Sequence, residues 1–318
     1  VRSGAAAGYS GYFHESAFYD SDERFLAVIV PFFTEGLAAG EPVLAAFDAG
    51  RQELVREAFG PRSGIRFLDG ATQYRRPAGA IRRYREIFGE YVAGGAAQIR
   101  VAGDVPQPAN GAPWDWWARY EAAVNRAYQD FPVWGICPYD TRTTPPEVVA
   151  EVRRTHPHVV AGGGHAANPD FEDPAEFLRA RAGSWRDPLE RRPPDLELTD
   201  PTTPQARAAV RAVAAPTRLR AEDLDNLLLA VTEAVTNAML HGRPPVVLRV
   251  WAAPRRLVAT VTDAGTGPPD PYIGLLPADR AVGNGGLGLW MSHQVCSFVG
   301  MHRGPEGFTL RLVAGDLD

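Results

Sequence analysis

Lysine is absent from this chain of 318 residues, and all 33 basic residues are arginine. That excludes a phosphate loop closed by lysine, a Schiff-base lysine and the strand lysine of eukaryotic-type protein kinases. Cysteine is scarce: Cys137 and Cys296 are the only two, far apart and at no metal-ligand spacing. A disulfide framework is therefore unsupported, and reduced thiols in a cytoplasmic protein are expected. The longest apolar run, 25–33, is broken by Pro31 and falls short of a bilayer span. No basic start followed by an apolar segment opens the chain, so neither secretion nor membrane attachment is expected. An excess of basic charge is lacking too. With 38 acidic residues the net charge is −5, which argues against direct nucleic-acid binding. What remains is ordinary globular composition, 45% hydrophobic and 22% charged, in a length that favours two domains.

Residues 1–20, with Gly, Ser and aromatics, read as a loose entry. Apolar residues at helical spacing then predict helices at 22–40, 51–59, 80–92, 114–128 and 145–154. Short apolar runs predict strands at 42–48, 64–69, 98–103, 133–137 and 158–161. This alternation predicts an α/β domain with a mostly parallel sheet over residues 1–180. Prolines 188, 193, 194, 201 and 204, with Arg191 and Arg192, mark a linker at 181–200. Beyond it, helices at 204–214 and 221–240 precede strands at 246–252 and 257–262. A glycine-rich loop, a helix near 287–295 and strands near 299–302 and 308–312 complete an α+β domain over 201–318.

Three segments of the second domain carry chemistry. Glu233 and Asn237 stand four apart on one helix face, a carboxylate to act as base beside a carboxamide oxygen suited to a hard cation; the bland alternative is a solvated face. Asp263-Ala264-Gly265-Thr266-Gly267 ends a strand with an acceptor for an amino group and a sharp turn. Gly283-Asn284-Gly285-Gly286-Leu287-Gly288-Leu289 enters a helix whose free amides suit phosphate oxygens without any lysine.

In that order the three segments resemble the GHKL (Bergerat) ATP-binding fold of gyrase, MutL and histidine kinases. Glu233-Ala234-Val235-Thr236-Asn237-Ala238 looks like its N box, and the two glycine segments like its glycine boxes. With Gly307-Phe308-Thr309-Leu310-Arg311-Leu312 at the close, the domain is most similar to bacterial anti-sigma-factor serine kinases. The resemblance implies ATP and Mg²⁺ as cofactors, with Asn237 holding Mg²⁺ through ATP and Glu233 activating a substrate serine. It implies Asp263 on adenine, Gly265 and Gly267 shaping the base pocket, Gly286, Leu287 and Gly288 at the phosphates, and Thr309 on the adenine side. Its partners would be a sigma factor and a STAS-type antagonist, and a homodimer is a family expectation. The lid, 268–282, carries four prolines, which puts closure and turnover in question. His241, after the N box, reads as a cation capping the helix end.

His14-Glu15-Ser16-Ala17-Phe18-Tyr19, Arg100-Val101-Ala102-Gly103-Asp104 and Cys137-Pro138-Tyr139-Asp140 resemble a second family, the MEDS (DcmR-type) sensory domain. That resemblance implies a RecA-like α/β fold without a working phosphate loop, and a sensory role for an unknown signal. His14, Cys137, His156 and His158 match no standard metal spacing and read as packing residues, as does the cluster Trp114, Trp116 and Trp117. The combined expectation is an ATP-dependent serine kinase acting on an anti-sigma-factor antagonist under sensory control. The alternatives are a catalytically silent partner-binding switch, or a histidine-kinase-like sensor acting on a separate phospho-acceptor protein.

Overall fold

In the computed structural model, residues 1–105, 114–181, 185–277 and 286–317 are described. They fall into two units, the first made of most of residues 1–177 and the second containing Leu178–Asp318. Among the described residues no helix is long and apolar enough to cross a membrane.

The first unit runs β1 (Phe13–Tyr19), α1 (Asp22–Ala38), β2 (Val43–Ala46), α2 (Ala49–Phe59), β3 (Arg66–Phe67), α3 (Gly70–Gln73), α4 (Pro77–Ala93) and β4 (Ile99–Gly103). It continues through α5 (Trp114–Ala127), β5 (Val133–Asp140), α6 (Pro146–Thr155), β6 (His158–Ala161) and β7 (Gly164–Ala167). The sheet order is β3-β2-β4-β5-β1-β6-β7, parallel except for the edge strand β7. Helix starts follow from caps placed just after strands: Ser21 accepts from the Arg24 amide and Asp48 from the Arg51 amide. Phe25, Ile29, Phe32 and Phe33 turn one face of α1 onto Val43, Ala45, Ala102 and Trp134. Trp116 and Trp117 are buried, as packing residues are.

The loose entry expected at 1–20 is corrected here: Phe13–Tyr19 is a central strand between β5 and β6. Its polar triplet His14, Glu15 and Ser16 is fully buried, whereas a strand covered on both faces ordinarily reads as continuous apolar residues. Two of the three are partnered. Glu15 accepts from the Trp134 indole at 2.6 Å and pairs with His165 at 2.9 Å, and His14 meets Asn125 at 3.0 Å.

The same unit buries one guanidinium completely. Arg100 on β4 donates to Glu41 Oε2 at 2.7 Å, the Phe32 carbonyl at 2.7 Å and Ser3 Oγ at 2.8 Å, and lies 4.6 Å over the Trp134 ring. Glu35, on the exposed side, approaches it at 3.3 Å.

After α7 (Pro174–Ala180), the second unit contains β8 (Leu196–Thr199), α8 (Thr203–Ala214), α9 (Ala221–His241), β9 (Val247–Ala253), β10 (Arg256–Asp263), α10 (Leu287–Val295), β11 (Phe298–Gly304) and β12 (Gly307–Gly315). Its antiparallel sheet has the order β11-β12-β10-β9-β8. A reciprocal cap between Thr202 and Gln205 starts α8. Glu222 and Asp223 stand at the positive end of α9. Leu227, Leu228, Val231 and Val235 of α9 pack on Leu248, Ala259, Val261, Leu310 and Leu312 from one face of the sheet.

Within the stretch expected as linker, the described residues from 185 onward pack with the second unit's sheet. Leu196–Thr199 is strand β8, and residues 185–195 strap the other face of the sheet. There Trp185 and Leu189 cover Val258, Phe298 and Val313. Trp251 Nε1 donates to the Arg192 carbonyl at 2.9 Å, and Arg311, itself buried, is paired with Glu190 at 2.7 Å. Proline punctuation signals an irregular path, and an irregular path can still be a packed one.

Candidate functional site

A cavity of about 590 Å³ opens beside α9, the start of α10 and the end of β10, within the range of small-molecule sites. Helical periodicity brings Glu233, Asn237 and His241 to it at successive turns of α9. Asp263, the last residue of β10, is buried against it. Its Oδ1 accepts from the Gly265 amide at 2.7 Å and the Arg243 amide at 3.2 Å. Both protein donors use the same oxygen, so the carboxylate is held in place with Oδ2 available to an amino group.

Gly286, in the left-handed conformation at φ 96°, caps α10, and Gly286, Leu287 and Gly288 line the cavity at the helix start. The first amides of α10 have no carbonyl one turn back to bond, so this end suits anionic oxygen. A Cβ built on Gly288 would lie 2.2 Å from Glu233 Oε2, which places the carboxylate against the first turn of α10. Gly288→Ala is expected to preserve the fold, since the atom it displaces ends a flexible side chain, while moving Glu233 away. The check is a thermal midpoint that stays or rises, together with a loss of up to ~10²-fold in whatever activity depends on the Glu233 carboxylate, the usual cost of an ångström of misplacement.

Seven of the nine residues singled out from the sequence therefore line one cavity: Glu233, Asn237, Asp263, Gly267, Gly286, Leu287 and Gly288. Gly265 acts one step back, its amide holding Asp263. Thr309 does not line the cavity. It faces Thr262 across the β10–β12 pair, the two hydroxyls 2.9 Å apart. Gly283, Asn284 and Gly285, with residues 278–282 of the lid, lie outside the described residues.

Several lining residues escaped sequence reasoning. Phe308 stands opposite Asp263 in the strand register and fills the space over Gly267, where a Cβ would come within 2.3 Å of its ring at φ +69°. Pro268, Pro269, Ile273 and Met291 extend this apolar wall. Arg303 Nε donates to the Thr266 carbonyl at 2.8 Å and Nη2 to that of Pro268, tying the start of the lid to β11. Phe308 lies in the closing segment and Pro268, Pro269 and Ile273 in the lid, but neither segment marked these side chains as wall of the cavity. His241 lines the cavity as well as ending α9.

Comparison with known families agrees with this geometry. Residues 13–157 match the family model of the MEDS domain, described as the MEthanogen/methylotroph, DcmR Sensory domain. Residues 196–314 match that of the histidine kinase-like ATPase domain, a span that holds the whole cavity lining. No curated protein matches the chain. The chain thus joins a MEDS sensory domain to a GHKL-like histidine kinase-like ATPase domain.

Proposed function

We propose that the protein is a cytoplasmic regulatory switch, in which an ATP-dependent serine kinase phosphorylates a STAS-type antagonist and thereby governs a sigma factor, under control of the sensory domain. One observation carries this reading: Glu233 and Asn237, a helical turn apart, share a cavity with Asp263 and the open first turn of α10. ATP with Mg²⁺, when bound, supplies the phosphoryl group. The fit rests on Oδ2 of Asp263 for the adenine amine, the glycine at 288 that lets the Glu233 carboxylate lie against the helix start, and the Asn237 oxygen as a hard ligand. Glu233 takes the proton of the attacking serine hydroxyl, and the α10 amides stabilise charge on the phosphate oxygens. A phosphate added to the antagonist's docking face would dislodge it by repulsion and desolvation.

Thermal unfolding tests the nucleotide site. At 100 times its dissociation constant, ATP with Mg²⁺ is expected to add about 2.7 kcal/mol to stability, seen as a rise of several degrees. In Asn237→Ala the Mg²⁺-dependent part of that rise is expected to disappear. A wild-type midpoint indifferent to ATP and ADP would make the cavity a partner-docking surface instead.

A further inference from the structure

We propose that His14, Glu121, Cys137 and His156 bind one divalent transition-metal ion inside the N-terminal unit, Zn²⁺ being the ion their donor set selects. Spacing in sequence gives no hint of this, because the site is assembled by strand register and helix packing. In the β1–β5 pair, His14 stands opposite Gly135 and Ser16 opposite Cys137, so His14 and Cys137 share one face of the sheet, two residues offset. Helix α5 supplies Glu121 to that face, and His156 follows directly from the last turn of α6. One ligand atom from each of the four lies within 4.8 Å of all the others. Cys137 Sγ is 3.4 Å from His14 Nε2, and Glu121 Oε2 is 3.7 Å from His14 Nε2 and 3.5 Å from His156 Nε2. Bonds of about 2.0–2.3 Å to a tetrahedral Zn²⁺ require donors roughly 3.3–3.8 Å apart, so a closure of about 1 Å completes the site.

The surrounding hydrogen bonds orient the lone pairs inward. Asn125 donates through Nδ2 to the Thr155 carbonyl at 2.8 Å, which turns its Oδ1 toward His14 Nδ1 at 3.0 Å. His156 Nδ1 meets the Val152 carbonyl at 2.8 Å. Each imidazole therefore carries its proton on Nδ1 and presents the Nε2 lone pair to the cluster, the arrangement that outer partners impose on metal-bound histidine. Glu121 Oε1 accepts from the Tyr139 hydroxyl at 2.9 Å. Its Oε2 and His156 Nε2 are buried with no hydrogen-bond partner. Two fully buried polar atoms 3.5 Å apart, with a sulfur in the same cluster, leave bonding capacity unused that a coordinated cation would satisfy.

Desolvation holds the four groups neutral without an ion. It pushes the Glu121 carboxyl up to about 8, raises the Cys137 thiol, lowers His156 to about 4 and also lowers His14. A divalent ion that displaces the thiol and carboxyl protons leaves a buried complex with no net charge. Two imidazoles, one thiolate and one carboxylate favour Zn²⁺ over Mg²⁺ or Ca²⁺, which take oxygen. His158 stays outside, stacked on Phe13 at 4.0 Å between centroids.

The test is metal titration of the full chain after chelator treatment, with Zn²⁺ measured by elemental analysis and Co²⁺ by absorption. One ion per chain is expected, with the visible bands of tetrahedral Co²⁺ and a sulfur-to-cobalt charge-transfer band. Cys137→Ser, nearly isosteric, should fold as the wild type and lose the charge-transfer band. His156→Ala is expected to weaken binding at least ~100-fold and Asn125→Ala ~10–100-fold. Substoichiometric metal, bound Co²⁺ without the sulfur band, or unchanged affinity in Cys137→Ser overturns the proposal. The kinase reading is untouched by any of these outcomes, since none of the four residues lines its cavity.

Discussion

Glu233→Gln is expected to lower phosphoryl transfer to the antagonist serine by ~10²–10⁴-fold, the usual contribution of a positioned general base. The amide keeps the length and shape of the side chain and its place against Gly288, but it cannot take the hydroxyl proton. ATP-induced stabilisation should therefore persist, so that binding and transfer separate. Asn237→Ala is expected to lose transfer together with the Mg²⁺-dependent part of the stabilisation, since the proposed reading places its oxygen on the cation. Transfer of labelled γ-phosphate, measured beside the thermal shift for the same proteins, reads the two quantities independently. Transfer at wild-type rate in Glu233→Gln would remove Glu233 from the chemistry. Nucleotide binding without transfer in the wild type would leave a switch that works by occupancy alone.

Arg100→Met is expected to be the most destabilising single change in the N-terminal unit, at about 3–5 kcal/mol. Methionine fills much of the volume, so the loss is electrostatic. Glu41, whose side chain is only 7% exposed, would be left with no guanidinium, and the Phe32 carbonyl and Ser3 hydroxyl would each lose a donor. At roughly 2–4 °C per kcal/mol for a unit of this size, the midpoint should fall by ~6–20 °C. Arg100→Lys should recover only part of that, because an ammonium cannot serve three diverging acceptors and the Trp134 face at once. In the double variant with Glu41→Gln the loss should be smaller than in Arg100→Met alone. Strict additivity would instead mean that the pair is not coupled.

The C-terminal site was more legible in the sequence than the N-terminal one, for a geometric reason. Glu233 and Asn237 are neighbours on one helix, Asp263 ends a strand and Gly288 lies in the first turn of a helix, so local pattern places them. The seven residues that meet in the cavity were singled out by these local motifs and the family resemblance they carry, and Phe308 was not, because its position depends on the register of β12 against β10. Strand β1 was hidden by its composition: His14, Glu15 and Ser16 look like loop residues until Trp134, His165 and Asn125 appear as partners. The four-residue cluster was hidden by distance along the chain. Glu121 sits in a helix whose tryptophans dominate its pattern, and Cys137 reaches His14 only through pairing of strands more than a hundred residues apart. Elements could be read locally, whereas contacts across the sheet could not.

The strap at 185–195 separates two meanings of a domain boundary. Similarity between families begins at residue 196, where the inherited pattern starts, but wetting of the sheet is prevented further upstream by Trp185 and Leu189. The heritable module and the stretch of chain that covers its sheet are thus different lengths. Trimming the protein to the former would bare an aromatic face containing Trp251 and Phe298, the kind of surface through which isolated sheets stick to one another.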